Sequence, residues 1–186
     1  MKNFYRCLFG LMMVGLAGCI NVDDFGGYWE KGVLDPKLEG TWSFVKGEND
    51  PEAPIMFIKE DDYYLMKSAD EEQAEDEHIK TLNVGEHTFF LILMEENSGG
   101  IMRYKIDGDS LTTYTLKEDV LKKAIENNEV DGTIEHDSLM GDVPHLSVLD
   151  EATLKFLAGL ADKPDHWKVE GVYQRVMNTS RDAGDT

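Results

Sequence analysis

The sequence predicts an α+β domain, an antiparallel β meander with two packed α-helices, behind an N-terminal export signal. Three observations predict it. Short segments of alternating apolar and polar residues recur from Gly40 to Leu116, punctuated by turn residues such as Asp107-Gly108-Asp109, the pattern of strands joined by hairpins. Two later segments carry apolar residues at helical spacing, Val120, Leu121, Ala124 and Ile125, then Leu154, Leu157, Leu160 and Ala161, which makes one apolar stripe on each helix. The chain opens with Lys2 and Arg6, a short apolar run from Leu8 to Leu16, and Ala17-Gly18-Cys19. That run is too short and too lightly flanked for a membrane span and reads as a removable signal.

In order, residues 1–18 are the expected signal and residues 19–34 a flexible tether, where Asp23, Asp24, Gly26, Gly27 and Gly32 surround scattered aromatics. As a coil this stretch would reach on the order of 20 Å. Phe25, Tyr28 and Trp29 are expected to pack on the domain, because exposed aromatics in a run are costly. Residues 35–177 form a single domain. Its first strand is Gly40–Lys46; Ile55–Lys59 and Tyr63–Lys67 turn through Glu60-Asp61-Asp62; His78–Val84 and Thr88–Met94 pair across Gly85-Glu86-His87; Ile101–Ile106 and Leu111–Leu116 follow. Phe89 to Met94 are all apolar, so this strand must be covered on both faces, and the two helices are the natural cover. The first helix spans Lys117–Asn127, with Thr115 and Glu118 spaced as a capping box. Gly132–His136 adds a short extended piece. The second helix spans Asp150–Ala161 and is stopped by Asp162-Lys163-Pro164. A last strand, Lys168–Val176, precedes a loose polar tail, residues 178–186.

Charge and cysteine usage exclude several function classes. The chain of 186 residues carries a net charge of −19 at pH 7, and losing Lys2 and Arg6 with the signal makes the remainder more acidic still. Such a surface repels nucleic acid phosphates and anionic headgroups alike. Cys7 leaves with the signal and Cys19 is the only other cysteine, so an acylated mature domain has no thiol for a disulfide, a nucleophile or a metal.

Leu16-Ala17-Gly18-Cys19 resembles the lipobox of bacterial lipoproteins. The resemblance implies cleavage between Gly18 and Cys19, acylation of the Cys19 thiol and amine, and a lipid-anchored life in the cell envelope. Ile20 after the cysteine, in place of aspartate, implies the outer membrane facing the periplasm in a Gram-negative cell. Leu38-Glu39-Gly40-Thr41-Trp42 near the start of the domain and Val172-Tyr173-Gln174-Arg175 at its end resemble the calycin signature of lipocalins and lipocalin-like bacterial lipoproteins. This implies a lipocalin-like partial barrel in which Gly40, Trp42 and Arg175 close one end, a structural role. Guanidinium stacks on indole and hydrogen-bonds nearby backbone, which gives that role its physics. Most of the mature chain is similar to uncharacterised bacterial lipoproteins, a resemblance that brings no activity. The other short lipocalin motifs are missing, and a helix interrupts the strands after Leu116.

Candidate chemistry is sparse. His78, His87, His136, His145 and His166 have no helical ligand spacing. His136 and His145, with Asp137 and Asp142, flank the Ser138–Pro144 loop, where a surface loop is preferred over a metal site. The acidic run from Asp70 to Glu77 and the turn Asp107-Gly108-Asp109 read as solvated loops without the ligand pattern of a calcium site. Ser110, Ser138 and Ser147 lack a nucleophile elbow, and no carboxylate pair is singled out for glycoside cleavage. No catalytic, metal or cofactor residue is assigned. Tyr63, Tyr64, Met66, Phe89, Phe90, Met102, Tyr104 and Tyr114 either line an apolar ligand cavity or fill the core; the core reading is preferred, because two amphipathic helices need a surface to cover.

The expected function is a non-enzymatic binding module held to the membrane by lipid on Cys19, taking a small apolar ligand or a protein partner. The alternative is an assembly accessory whose acidic surface meets a basic protein, and behind it an envelope hydrolase.

Overall fold

The computed structural model describes residues 19–47, 54–68, 77–94, 96–137 and 141–176. The expected signal with Gly18, the acidic loop over residues 69–76 and the tail 178–186 lie outside the described residues.

The elements run β1 (Ile20–Val22), α1 (Tyr28–Lys31), β2 (Gly40–Gly47), β3 (Ile55–Lys59), β4 (Tyr64–Ser68), β5 (Glu77–Val84), β6 (His87–Leu93), β7 (Gly99–Asp107) and β8 (Ser110–Leu116). Then come α2 (Glu118–Glu126), β9 (Gly132–Asp137), β10 (Gly141–Leu146), α3 (Glu151–Ala161), a 3-10 turn at Pro164–His166 and β11 (Trp167–Arg175). Strands β2 to β8 pair with their sequence neighbours, and β11 pairs with both β8 and β2, every pair antiparallel. That closes an eight-stranded barrel, not a partial one. The helices between β8 and β11 lie outside the ring, so the chain returns from them to fill the last gap and leaves no barrel edge unpaired.

The barrel wall forks at β7. Arg103 to Asp107 pair with β8, whereas Gly99 to Ile101 pair with β1. From β1 the sheet continues through β10, parallel to it, to the β9–β10 hairpin. This corrects the expected tether: residues 20–34 are built into the fold. Ile20 and Val22 are buried in the sheet, Phe25 is 1% exposed, and Val33 exchanges two backbone hydrogen bonds of 2.8 Å with Thr81. Burying Phe25 beside Trp29, whose ring lies 6.1 Å away, gives the segment the apolar contact a free coil lacks. Strand β10 was also unexpected, because Pro144 argues against a paired strand; here it sits opposite Ile134 of β9.

Two cores lie on either side of the wall, and β6 belongs to both. Phe89 and Leu91 face outward to the helices, with Leu121 of α2 and Leu154, Leu157 and Leu160 of α3. Phe90 and Ile92 face the interior with Trp42, Phe57, Tyr104 and Tyr173. From Phe89 to Ile92 the all-apolar run is thus covered on both faces, whereas Met94 at its end is half exposed. Asp150 caps α3, its Oδ1 accepting from the Thr153 amide at 2.7 Å, and this holds its carboxyl below the usual carboxylate range. Helix α2 has no such cap: Thr115 still belongs to β8, and the extended Lys117 takes the N-cap place without a side-chain bond.

Candidate functional site

Strand β7 runs the length of the barrel and so defines its two ends. At the end reached by Tyr104, the Asp35–Leu38 turn plugs the ring. Trp42 is fully buried beneath it and donates from Nε1 to the Leu38 carbonyl at 2.8 Å. Arg175 stands over the indole, its Cζ 4.2 Å from the ring centre. Its Nη1 donates to the Glu39 carbonyl at 2.6 Å and its Nη2 to the Lys37 carbonyl, while Nε lies 3.6 Å from Asp109. Gly40 takes a φ of 118°, which a side chain would strain, and a Cβ there would crowd the same guanidinium at 3.2 Å. Gly40, Trp42 and Arg175 therefore meet at one place.

Asp35 is the polar centre of this plug. Its carbonyl accepts from the Tyr64 hydroxyl at 3.1 Å and its Oδ2 from the Tyr104 hydroxyl at 3.0 Å. Burial, then the Asp35 charge, push the Tyr104 phenol far up, so it stays a neutral donor.

Between the ends, aromatic and aliphatic side chains pack against one another in the interior. Phe90 is sandwiched by Tyr104 and Phe57, with ring centres 4.0 and 5.9 Å away. Phe44 meets Tyr173 edge-on at 5.5 Å. The free space left among Ile55, Met66, Ile92, Met102 and their neighbours is about 40 Å³, room for a few waters and far below the several hundred Å³ of a small-molecule pocket.

The opposite end is different in kind. Gly99 and Gly100 open β7 there. A Cβ on Gly99 would lie 1.9 Å from the Ile92 carbonyl oxygen, and one on Gly100 would lie 2.9 Å from Cβ of Cys19. The glycine pair is thus a notch: the first lets β6 approach, the second seats Cys19. Cys19 itself packs at the edge of the interior cluster. Two carboxylates are buried at this mouth, Glu77 (8% exposed) and Glu170 (5%). Alternation along β5 puts Glu77 on the same face as Ile79, which belongs to the interior. Among the described residues its Oε2 has no hydrogen-bond partner, and burial raises its carboxyl to about 7. Loss of solvent, then the charges of Glu77 and Glu170, push the Cys19 thiol far up. Burial, then Glu170, raise Tyr173 to about 12.

A polar cleft of about 330 Å³ lies beside the plugged end, between Asp35, Lys37, Glu86, His87, Arg103 and Lys105. Arg103 is held by Tyr114 and Trp167, its Cζ 4.9 and 5.5 Å from their ring centres. His87 lies 3.1 Å from Asp162.

The remaining histidines are scattered. His78 stacks on Tyr63 at 4.2 Å. His136 contacts Asp142 at 2.9 Å across the β9–β10 hairpin, while His145 faces Asp23 at 3.5 Å. Among the described residues no three His, Cys, Asp or Glu side chains converge as a metal site. Ser138 and the acidic run from Asp70 to Asp76 lie outside the described residues. Asp35, Glu77 and Glu170 went unremarked as site residues in the sequence. Glu77 read as one more member of an acidic run, yet it begins the alternation that Ile79 continues.

The chain matches no family model, no curated protein and no solved structure.

Proposed function

We propose that this is a lipid-anchored protein of the bacterial cell envelope, processed between Gly18 and Cys19, acylated on Cys19, and acting by binding and not by catalysis. The single supporting observation is the place of Cys19. It stands one residue before β1, with its side chain against Gly100 of β7. With no slack between lipid and sheet, an anchor there holds the barrel close to the bilayer. The lipocalin-like character suggested by Gly40, Trp42 and Arg175 belongs to this reading as architecture. The small size of the cavity among Ile55, Met66, Ile92 and Met102, about 40 Å³, weighs against a small apolar ligand at that place and favours a protein partner met on the outer surface. The Cys19 thiol, raised by burial and two carboxylates, is a poor nucleophile once docked, so modification precedes the docking of β1.

The test is metabolic labelling with a palmitate analogue, with membrane fractionation, on the wild type and Cys19→Ser. Label and membrane association are expected in the wild type and lost in the variant. Label that persists in the variant, or a mature N-terminus elsewhere, overturns the reading. Native mass spectrometry of the delipidated protein is expected to show no retained apolar molecule; a stoichiometric one would restore the apolar-ligand alternative.

A further inference from the structure

The cleft beside the plugged end reverses the charge balance of the molecule. The chain has 37 acidic and 18 basic side chains, yet this space of about 330 Å³ gathers Lys37, Arg103 and Lys105 against Asp35 and Glu86. Asp35 is already bonded within the plug. Its Oδ1 accepts from the Lys37 amide at 3.0 Å and its Oδ2 from the Tyr104 hydroxyl at 3.0 Å. A polar cleft of this size falls in the range of small-molecule sites.

The three cations reach the cleft from two elements. Arg103 and Lys105 are two apart on β7 and so share one face. That face is the outer one, because Arg103 lies against Trp167 of the outer core. Lys37 comes from the plug turn, where its carbonyl is held by Arg175. Arg103 is half-buried, and its guanidinium is braced over Tyr114 and Trp167, 4.9 and 5.5 Å from their ring centres. Contact with rings uses the face of a guanidinium and leaves its N–H edge for a partner in the same plane. That edge is the fork that matches two oxygens of a carboxylate or a phosphate. Among the described residues neither Asp35 nor Glu86 comes within ion-pair distance of it.

Charge decides the size of the occupant. A polyanionic macromolecule would meet the repulsion of a chain of net charge −19 along its whole length. A molecule of one or two charges feels chiefly the cations it touches, since charges beyond about 8 Å are screened at physiological salt. Acceptors stand beside those cations: the Glu86 carboxylate, and Thr88 Oγ1, which donates to Asn83 and keeps its lone pairs. They suit an occupant that carries hydroxyl donors next to its anionic group.

We propose that this cleft binds a small hydroxylated molecule carrying one oxyanion, a sugar acid or a sugar phosphate, with the Arg103 fork on the oxyanion and Lys37 and Lys105 beside it. The ligand is polar and sits on the outer wall, apart from the apolar interior. Cys19 takes no part, so this inference and the lipid-anchor reading stand or fall separately.

The test is isothermal titration calorimetry of the full-length protein in detergent at low salt, against gluconate, glucose 6-phosphate and glucose. Saturable binding with a Kd of about 1 mM or tighter is expected for at least one of the two anions, and none for glucose. The anion that binds more tightly identifies the group that Arg103 holds. Arg103→Gln should weaken binding at least about tenfold. Lys105→Gln should weaken it about threefold or more, whereas Lys123→Gln, the same change of charge on the exposed side of α2, should leave it unaltered. Should Arg103→Gln fail to fold, the comparison of Lys105→Gln with Lys123→Gln decides. The proposal is overturned if neither anion binds, if glucose binds as tightly as the anions, or if Lys105→Gln and Lys123→Gln behave alike.

Discussion

The two ends of the barrel solve the same problem in opposite ways. Each must stop a ring of strands without leaving polar groups stranded. At the plugged end the chain supplies everything locally: Leu38 and Trp42 fill the bore, and Arg175 and Asp35 tie three backbone carbonyls and two tyrosine hydroxyls into one network. At the mouth the strands bring two carboxylates and a cysteine together, and Glu77 keeps an unpartnered oxygen. The first end satisfies its polar groups among the described residues. The second keeps a buried oxygen unsatisfied among them. The lesson is that an unsatisfied buried group marks where a fold trades stability for something else.

Breaking the plugged end should have the largest effect. Trp42→Ala removes a fully buried indole, its bond to the Leu38 carbonyl and the surface on which Arg175 lies. A loss of about 3–5 kcal/mol is expected, measured by urea unfolding. A loss under about 1 kcal/mol would mean that the plug closes the barrel without supporting it.

The mouth should respond to pH instead. Burial raises Glu77 from 4.5 to about 7. Between those values the folded state holds a proton that the unfolded state has lost, so stability is full below about pH 4.5 and falls as pH rises to about 7. The total is about 3 kcal/mol, and Glu77→Gln should abolish the slope. Urea unfolding across this range is the measurement. A flat wild-type profile would show that Glu77 is solvated at the mouth and that the two ends do not differ.

The difference between the ends also decided what could be read from the sequence. Strand alternation, the hairpin turns and the all-apolar β6 were legible because each is a local pattern with a fixed period. Gly40, Trp42 and Arg175 could be singled out only because the residues around them resemble a known signature; the physics of indole under guanidinium explains their role but would not have found them. Closure was not legible: it depends on β11 returning past two helices to pair with β2, a contact between Arg175 and Trp42 far apart in the chain. The tether was misjudged because its glycines and aspartates look like coil, whereas three hydrophobic residues, Ile20, Val22 and Phe25, do the anchoring. Glu77 was hidden for a different reason. Composition assigns an acidic residue to solvent, and only its register with Ile79 shows it facing inward.

Gly100→Ala sharpens the comparison at the mouth without touching charge. Its Cβ would approach Cβ of Cys19 to 2.9 Å and Sγ to 3.3 Å, so the start of β1 must shift. A cost of about 2 kcal/mol is expected, together with faster hydrogen exchange at Ile20 and Val22. Unchanged exchange there would mean that Cys19 yields without disturbing the strand.

The smallest effect is expected from Arg175→Lys, which keeps the charge at the plugged end and removes only the planar fork. Lysine cannot donate to the Glu39 and Lys37 carbonyls together, nor lie flat on Trp42 as the guanidinium does. The side chain is 25% exposed, so water replaces part of what is lost, and a cost of about 1 kcal/mol follows. The loss should be independent of pH between about 5 and 8, since neither arginine nor lysine titrates there. That separates it from the mouth, where stability moves with Glu77. A pH-dependent loss in Arg175→Lys would show the two ends to be electrostatically coupled through the barrel, and the division between a finished end and an unfinished one would fail.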